Sequence, residues 1–446
     1  MTASTPLWTV GPFVLYLLLI ATLPLFFSAF WEHNRNKLVV ALILSAPVVG
    51  YLIISKGGEG GAELFHTACD YASFIALLGA LFTISGGVCL RGSLVGSSFV
   101  NLGFLAVGSV LGSIIGTTGA SVLLIRPLLR ANAKRGYVTH IAVFFIFIVS
   151  NAAGLLTPLG DPPLFLGFLR GVPFTWTLRL FLPWAFVNGI LLALFFLIDR
   201  FLLLREKRRR PTHSLPQFPL PDDDGPLRIE GTLNLVWLVA IVAFVFGIGS
   251  VGTRLLGDSG LRSLVQVAGL VGLAALSLLT TARAIHERNR FNWAPIIEVA
   301  VVFVGVFLTM IPALSFLAER GASLGIVRPV QFFWASGALS SVLDNAPTYL
   351  TFASLATGVV DAGAGVLSAS NLGGLAAHAT GQHLLVAVSC GSVLMGAITY
   401  IGNGPNFMVK AIAEQHHVRM PGFFGYVLWS FAILVPLFGL VSRLFF

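Results

Sequence analysis

The chain has 446 residues, of which 56% are hydrophobic and 10% charged, with a formal net charge of +9. Soluble domains carry about 25% charged residues. This composition, with a mean hydropathy of +0.91, therefore excludes a soluble globular enzyme, a disordered chain and a disulfide-rich secreted domain. Apolar runs of about 18 residues or more, the helical length of a bilayer core, recur along the sequence. They lack the alternation of a porin-type barrel, so the expected fold class is an all-α polytopic membrane protein.

In chain order, ten full spans are expected, at 12–30, 38–55, 70–90, 139–170, 178–199, 234–252, 263–281, 294–317, 383–412 and 422–445. The first basic residue, Arg35, follows the first apolar run, so that run reads as a span and not as a cleaved signal. Two further apolar segments, 95–132 and 329–357, are Gly-rich or carry polar residues at their midpoints and read as re-entrant hairpins. Cys69, Cys89 and Cys390 match no metal-ligand spacing and read as small apolar residues.

Charge placement supports the hairpins. If neither crosses, the loops near 32–37, 91, 126–135, 200–230, 283–290 and 410–419 share one side and hold 19 of the 27 Lys and Arg residues. That side is expected to be cytoplasmic, with both termini outside and a bacterial inner membrane as the location. The basic excess is a topology signal, so no nucleic-acid partner is expected. The longest polar stretch, 200–233, contains Arg205-Glu206-Lys207-Arg208-Arg209-Arg210 and Asp222-Asp223-Asp224 and reads as a cytoplasmic linker.

The linker separates a first repeat, 1–199, from a second, 234–446, each with five spans and one hairpin. Thr157-Pro158-Leu159-Gly160-Asp161-Pro162-Pro163 and Thr399-Tyr400-Ile401-Gly402-Asn403-Gly404-Pro405 both match Thr-x-x-Gly-(Asp/Asn)-x-Pro. Thr117-Thr118-Gly119-Ala120-Ser121 corresponds more loosely with Asp344-Asn345-Ala346-Pro347-Thr348. Five is odd, so the halves insert in opposite senses, which is the inverted-repeat plan of many secondary transporters.

Gly, Pro, Asp and Asn in mid-span break a helix, and broken backbone inside a membrane is tolerated where protein or a water-filled cavity satisfies it. Residues 157–163 and 399–405 are therefore expected to be unwound near the midplane, met by hairpin tips at 116–121 and 344–348. Pairing each tip with a break gives two candidate cation sites. The first comprises Thr117, Thr118, Ser121, Asn151, Thr157 and Asp161; the second comprises Asp344, Asn345, Thr348, Thr399, Asn403 and Asn406. Their hydroxyl, amide and carbonyl oxygens suit Na⁺, although Ser and Thr in apolar helices also bond back to their own backbone.

Of the 18 carboxylates, only Asp161, Glu298 and Asp344 are placed inside spans or hairpins and away from their ends. A charge at mid-bilayer costs roughly 2.5–3.5 kcal/mol on insertion scales, so its retention implies a use. A carboxyl there can hold a proton or a cation but not both, and Asp161 and Asp344 are the expected Na⁺ ligands. Glu298 can also snorkel to the interface, Arg126 reads as an interfacial anchor, and His140 starts a span.

At these motifs the sequence resembles the ion-transporter superfamily: D-type bacterial sodium/proton antiporters, citrate and dicarboxylate transporters, and the membrane subunit of arsenite pumps. The carrying residues are Gly116-Thr117-Thr118-Gly119-Ala120-Ser121 with Arg126-Pro127, Ser150-Asn151-Ala152-Ala153-Gly154 through Pro163, Asp344-Asn345-Ala346-Pro347-Thr348, and Gly402-Asn403-Gly404-Pro405-Asn406. The likeness covers about 70–446 and is strongest to members called sodium/proton antiporters or citrate transporters. It implies paired hairpins, a scaffold against a transport domain, a homodimer and elevator-like movement. Dicarboxylate carriers of this group carry Ser-Asn-Thr at tips and breaks. Here Gly116-Thr117-Thr118 and Asp344-Asn345-Ala346 replace it, and Asp161 adds an acid that would repel a dicarboxylate.

The leading expectation is a secondary transporter in the lipid bilayer that exchanges Na⁺ for H⁺, needs no cofactor beyond the transported or coupling sodium ion, and is not an enzyme. The alternative is Na⁺- or H⁺-coupled uptake of citrate or a similar carboxylate, followed by metalloid oxyanion efflux. An intramembrane enzyme is disfavoured because no His-Glu-x-x-His, Gly-x-Ser-x-Gly or nucleotide-binding loop occurs.

Overall fold

A computed structural model describes residues 5–92, 94–209, 228–252, 260–289, 291–361, 367 and 371–446. The chain is an all-α polytopic membrane protein, with one two-stranded ribbon among the described residues. Its helices of eight or more residues are α1 Gly11–Phe26, α2 Asn34–Lys56, α3 Gly58–Gly86, α4 Ser98–Ile115, α5 Thr117–Ala131, α6 Thr139–Ile148, α7 Pro162–Leu169, α8 Phe181–Arg209, α9 Leu233–Gly247, α10 Gly260–Thr280, α11 Ala294–Arg320, α12 Pro329–Ser340, α13 Asn345–Asp361, α14 Ala379–Leu394, α15 Gly404–Gln415 and α16 Phe423–Phe445.

Among the described residues, ten helical segments are long and apolar enough to cross a membrane. They are not the ten read from the sequence. Ser98–Ile115, expected as a hairpin arm, qualifies by length, whereas 139–170 is divided into α6, a single 3₁₀ turn at Ala152–Leu155, and α7. The segment 383–412 divides likewise, at Met395–Ile398 and the irregular residues before Gly404. The third span begins at Gly58, not 70. The expected linker 200–233 lies mostly outside the described residues; α8 runs on to Arg209, and Arg228–Glu230 is a strand.

Hydrogen bonds fix which ends of the bundle belong together. At one end, called here the ribbon end, Cys89–Arg91 pairs antiparallel with Arg228–Glu230. Asn289 Nδ2 donates to Gly86 O at 2.7 Å, Asn234 Nδ2 donates to Gly87 O at 2.9 Å, and Thr139 Oγ1 donates to Arg419 O at 2.9 Å. Both feet of the α4–α5 hairpin stand there: Gly96 N donates to Ala131 O at 2.8 Å, and Arg130 Nη2 donates to Leu90 O at 2.9 Å. The α12–α13 hairpin has its feet at the opposite end, where Gly358 lies against the backbone carbonyls of Leu317 and Ala318 at the end of α11. In the same region Leu372 N donates to Arg170 O at 2.6 Å. The hairpins thus enter from opposite ends.

The first hairpin turns at Gly116, whose φ of +81° suits a residue without Cβ. Upstream, the Ser97 hydroxyl accepts from Val100 N at 3.2 Å and caps α4. The helix α6 is apolar on every face and buried on every face from His140 to Ile148, so it forms the centre of the core. Around it, α4–α8 and α12–α16 make one bundle, while α1–α3 and α9–α11 make a second. The bundles meet along two corresponding seams, α3 against α5 and α11 against α13.

The sequence reading placed three carboxylates away from the ends of apolar segments. Two more, Asp70 on α3 and Asp199 on α8, lie inside helices that continue past the expected boundaries. Asp199 is fully buried: Arg135 Nη1 stands 2.6 Å and His140 Nε2 2.7 Å from its Oδ1, and Asn101 Nδ2 donates to its Oδ2 at 3.4 Å. Asn101 and Asn132 exchange amide hydrogen bonds of 3.0 and 2.7 Å beside it, and Glu206 accepts from Gly136 N at 2.6 Å. His140, at the start of α6, is therefore a buried partner of Asp199. Glu298 pairs with Lys37 at 2.5 Å, joining α11 to α2.

Candidate ion and substrate site

The two Thr-x-x-Gly motifs build the breaks in the same way. Thr157 Oγ1 donates to the backbone carbonyl of Ser113 and accepts from Leu159 N at 3.2 Å. Thr399 Oγ1 donates to Ser341 O at 2.6 Å and accepts from Ile401 N and Gly402 N, both at 3.1 Å. Each threonine thus ties its break to the tip of the hairpin in the same half and turns its own backbone. A Cβ on Gly160 would stand 2.4 Å from Gly154 O, and one on Gly402 would stand 2.7 Å from both Gly396 O and Ser340 O. These obstacles are backbone, which cannot rotate away. Gly402→Ala is accordingly expected to lower stability by about 1–3 kcal/mol through overpacking, read as a drop in the melting temperature of the purified protein. Prolines follow each Asp/Asn: Pro162 starts α7 and Pro405 stands in the first turn of α15, where a missing N–H costs nothing.

The first break is longer than the sequence suggested. Regular α-helix stops at Ile148, before Ser150 and Asn151. The Asn151 amide explains the early stop: Nδ2 donates to Ile146 O at 2.8 Å and to Asn406 Oδ1 at 2.7 Å. Asn406 in turn donates to Gly396 O at 2.8 Å and Thr399 O at 2.9 Å. Asn403 Nδ2 reaches Ser150 O at 3.1 Å and Asn151 Oδ1 at 3.2 Å. The two breaks are therefore stitched together by three buried amides.

Asp161 stands where all four pieces meet, and its relative exposure is 2%. Its Oδ1 accepts from Thr117 Oγ1 at 2.9 Å and from Asn403 Nδ2 at 3.4 Å, and its Oδ2 accepts from Asn345 Nδ2. Thr117 N donates to Gly160 O at 2.9 Å. No Lys, Arg or His pairs with Asp161 among the described residues. Each tip meets its own break as expected, and contacts between the halves are added to that pairing. Both tips and the second break converge on the one carboxylate, because Asn345 and Asn403 reach across to the first half.

Four candidates remain, each differently placed. Asp344 is partly exposed and its Oδ1 accepts from Ala346 N at 3.1 Å, the bond of a helix cap. Ser121 shares a 2.9 Å hydrogen bond with Ser150, behind the tip. Thr348 Oγ1 donates to Asp344 O at 3.0 Å on its own helix, the back-bonding that also occurs without any ligand. Thr118 is half-buried and faces the cavity described next.

That cavity, of about 790 Å³, lies between the two bundles. Asp161, Asp344, Thr117, Thr118 and Asn403 form its polar end. The wall contributed by α1, α3 and α11 is apolar and aromatic, apart from Glu298. The cavity extends toward the ribbon end, since its lining includes Trp31, Asn292, Lys410 and Phe423 but no residue from 170–173 or 320–328. The N-termini of α5, α7, α13 and α15 all border it, through Thr117, Pro162, Asp344 and Gly404. Helix N-termini carry about half a positive charge each, so four of them bathe the Asp161 carboxylate in positive potential. Lys410, absent from the sequence reading, is the one basic side chain among the described lining residues; its Nζ pairs with Glu414 at 2.8 Å and lies over the Tyr400 ring at 5.6 Å. Arg126 does not line the cavity.

The chain is 25% identical over 336 residues to an uncharacterized transporter of Synechocystis sp., an alignment that covers 71% of this chain and 70% of that one. The sequence profile of a family described as "Putative citrate transport" matches residues 2–446. A chain with two hairpins entering from opposite ends, two stitched breaks and a cavity at their meeting point, matched over nearly its whole length, belongs to that transport family.

Proposed function

We propose that this transporter exchanges Na⁺ for H⁺ at Asp161, with Asp344 as the second acidic ligand. The observation that carries the reading is the placement of Asp161. A buried carboxylate borders the cavity, is held by Thr117, Asn345 and Asn403, and has no basic partner among the described residues. A carboxylate without a basic partner needs a proton or a cation to be neutral in a site of low dielectric. Na⁺ takes oxygen ligands, and turning the Asn345 and Asn403 amides over would present oxygens in place of N–H groups. Proton and Na⁺ then compete for one place, which is the minimum an antiporter needs. The site would work within a homodimer in a bacterial inner membrane, its cavity facing the Lys- and Arg-rich side.

A second reading, coupled uptake of a citrate-like carboxylate, is favoured by the four helix N-termini at the cavity and by the family's description. One experiment separates them. The protein is reconstituted in acid-loaded liposomes holding a pH dye, and NaCl is added outside. Alkalinisation of the lumen is the outcome of Na⁺/H⁺ exchange. Silence toward Na⁺ together with uptake of labelled citrate reverses the order of the two readings.

A further inference from the structure

We infer that the same cavity binds lipophilic monovalent organic cations, their charge at Asp344 and their apolar body against the wall formed by α3 and α11. The inference rests on the reading of the acidic end as a cation site and extends it to a second class of ligand.

Size and composition carry the argument. A bare or partly hydrated Na⁺ needs only a small ring of oxygens. The cavity of about 790 Å³ falls in the range of about 300–1,000 Å³ that accommodates drug-sized organic molecules. Eight aromatic side chains line it, among them Phe82 and Phe303 on the α3–α11 wall and Phe407 on α15. Phe407 is 63% exposed, so its ring is available to a ligand. An inorganic ion gains little from such a wall, whereas a cation with an apolar body gains from area burial and from the ring faces.

The helix N-termini are set against the Asp161 carboxylate, and it is the side-chain charge beyond that cluster that favours a cation. The lining carries three carboxylates and one ammonium. Glu298 is paired with Lys37, and Lys410 with Glu414. Asp161 is taken up by Thr117, Asn345 and Asn403. Asp344 remains: it borders the cavity, is partly exposed and has a single cap bond, to Ala346 N. It is the acid placed to meet an organic cation that cannot itself enter the Asp161 cluster.

The probe is tetraphenylphosphonium, with tetraphenylborate as a control of the same shape and opposite charge. Binding to the full-length protein in nanodiscs is measured by equilibrium dialysis. The expected result is saturable, one-to-one binding of the phosphonium that Na⁺ and acid displace, with no saturable binding of the borate. Asp344→Asn should weaken phosphonium binding by about tenfold, the loss of one close charge contact. Phe407→Ala, at an exposed ring whose removal spares the fold, should weaken it by about two- to fivefold and leave Na⁺-driven alkalinisation in place.

Equal binding of both probes would overturn the inference. So would uptake that rises with lipid content without saturating, since lipid then covers the wall, or affinity indifferent to Asp344→Asn. These readouts are independent of Na⁺ flux. Phosphonium binding without Na⁺/H⁺ exchange refutes the proposed antiport alone, and exchange without phosphonium binding refutes this inference alone.

Discussion

Asp161→Asn is expected to reduce Na⁺-driven alkalinisation by about 100-fold or more, equivalent to about 2.8 kcal/mol, while the protein still folds. The substitution keeps the size and shape of the side chain and removes the charge. An amide neither takes nor yields a proton at neutral pH, and its dipole is a poor substitute for a carboxylate in neutralising Na⁺. Stability should change little. The Thr117 hydroxyl and the Asn403 amide can still donate to the amide oxygen, and Asn345 can turn over to accept from the new NH₂ group. One imperfect pairing in that rearrangement costs about 1–3 kcal/mol. The measurement pairs the dye assay with the melting temperature of the same preparation. Exchange at the wild-type rate from Asp161→Asn liposomes removes this carboxylate from the mechanism.

The contrast with Asp344 sharpens that test. Asp161 has both oxygens engaged by side chains from three different elements, whereas Asp344 caps its own helix and is partly exposed. If both were equal ligands, their amide variants would fail alike. The geometry instead makes Asp161 the centre and Asp344 an auxiliary group, so Asp344→Asn should retain a reduced rate in the same liposomes.

How much of this was legible in the sequence follows from the range of each interaction. The breaks were legible because their signals are local: Gly, Pro and Asp or Asn inside an apolar run, repeated after the linker at Thr157 and Thr399. The tips at 116–121 and 344–348 carry the same kind of local mark, Gly or polar residues midway along an apolar segment. The convergence on Asp161 was not legible. Asn345 lies 184 residues from it and Asn403 lies 242, and no periodicity within a span reports which break a tip will face. The early end of α6 escaped notice because Asn151 stops the helix with bonds to Ile146 O and to Asn406, the latter in the other half. Glu298 looked like a free intramembrane acid because its partner, Lys37, lies in another span. Asp199 was hidden by a boundary. Read as the last residue of a span it seemed interfacial, but α8 continues for ten residues beyond it. Asn101, Asn132 and His140 in otherwise apolar segments were the available hint that a buried partner existed.

That buried partner leads to the largest expected effect on stability. Asp199→Ala should destabilise the protein by about 3–5 kcal/mol, the usual cost of removing one member of a buried ion pair. The alanine leaves the Arg135 guanidinium, whose side chain is 6% exposed, without its 2.6 Å partner, and leaves His140 without its 2.7 Å partner. The loss falls on α4, through Asn101, and on the residues after α5, through Asn132 and Arg135, so it loosens the feet of the first hairpin. Reduced yield of monodisperse protein and a melting temperature lower by several degrees are the expected readouts. Asp199→Asn keeps an oxygen toward Arg135 and His140 and should fall between wild type and alanine. Because Asp199 does not line the cavity, the Asp199→Asn protein that survives purification should show Na⁺ half-saturation close to wild type. A melting temperature unchanged in Asp199→Ala would mean that Arg135 and His140 find other partners and that the hairpin's feet are held by the ribbon contacts alone. A large shift in Na⁺ half-saturation would instead tie this network to Asp161 through the hairpin it anchors.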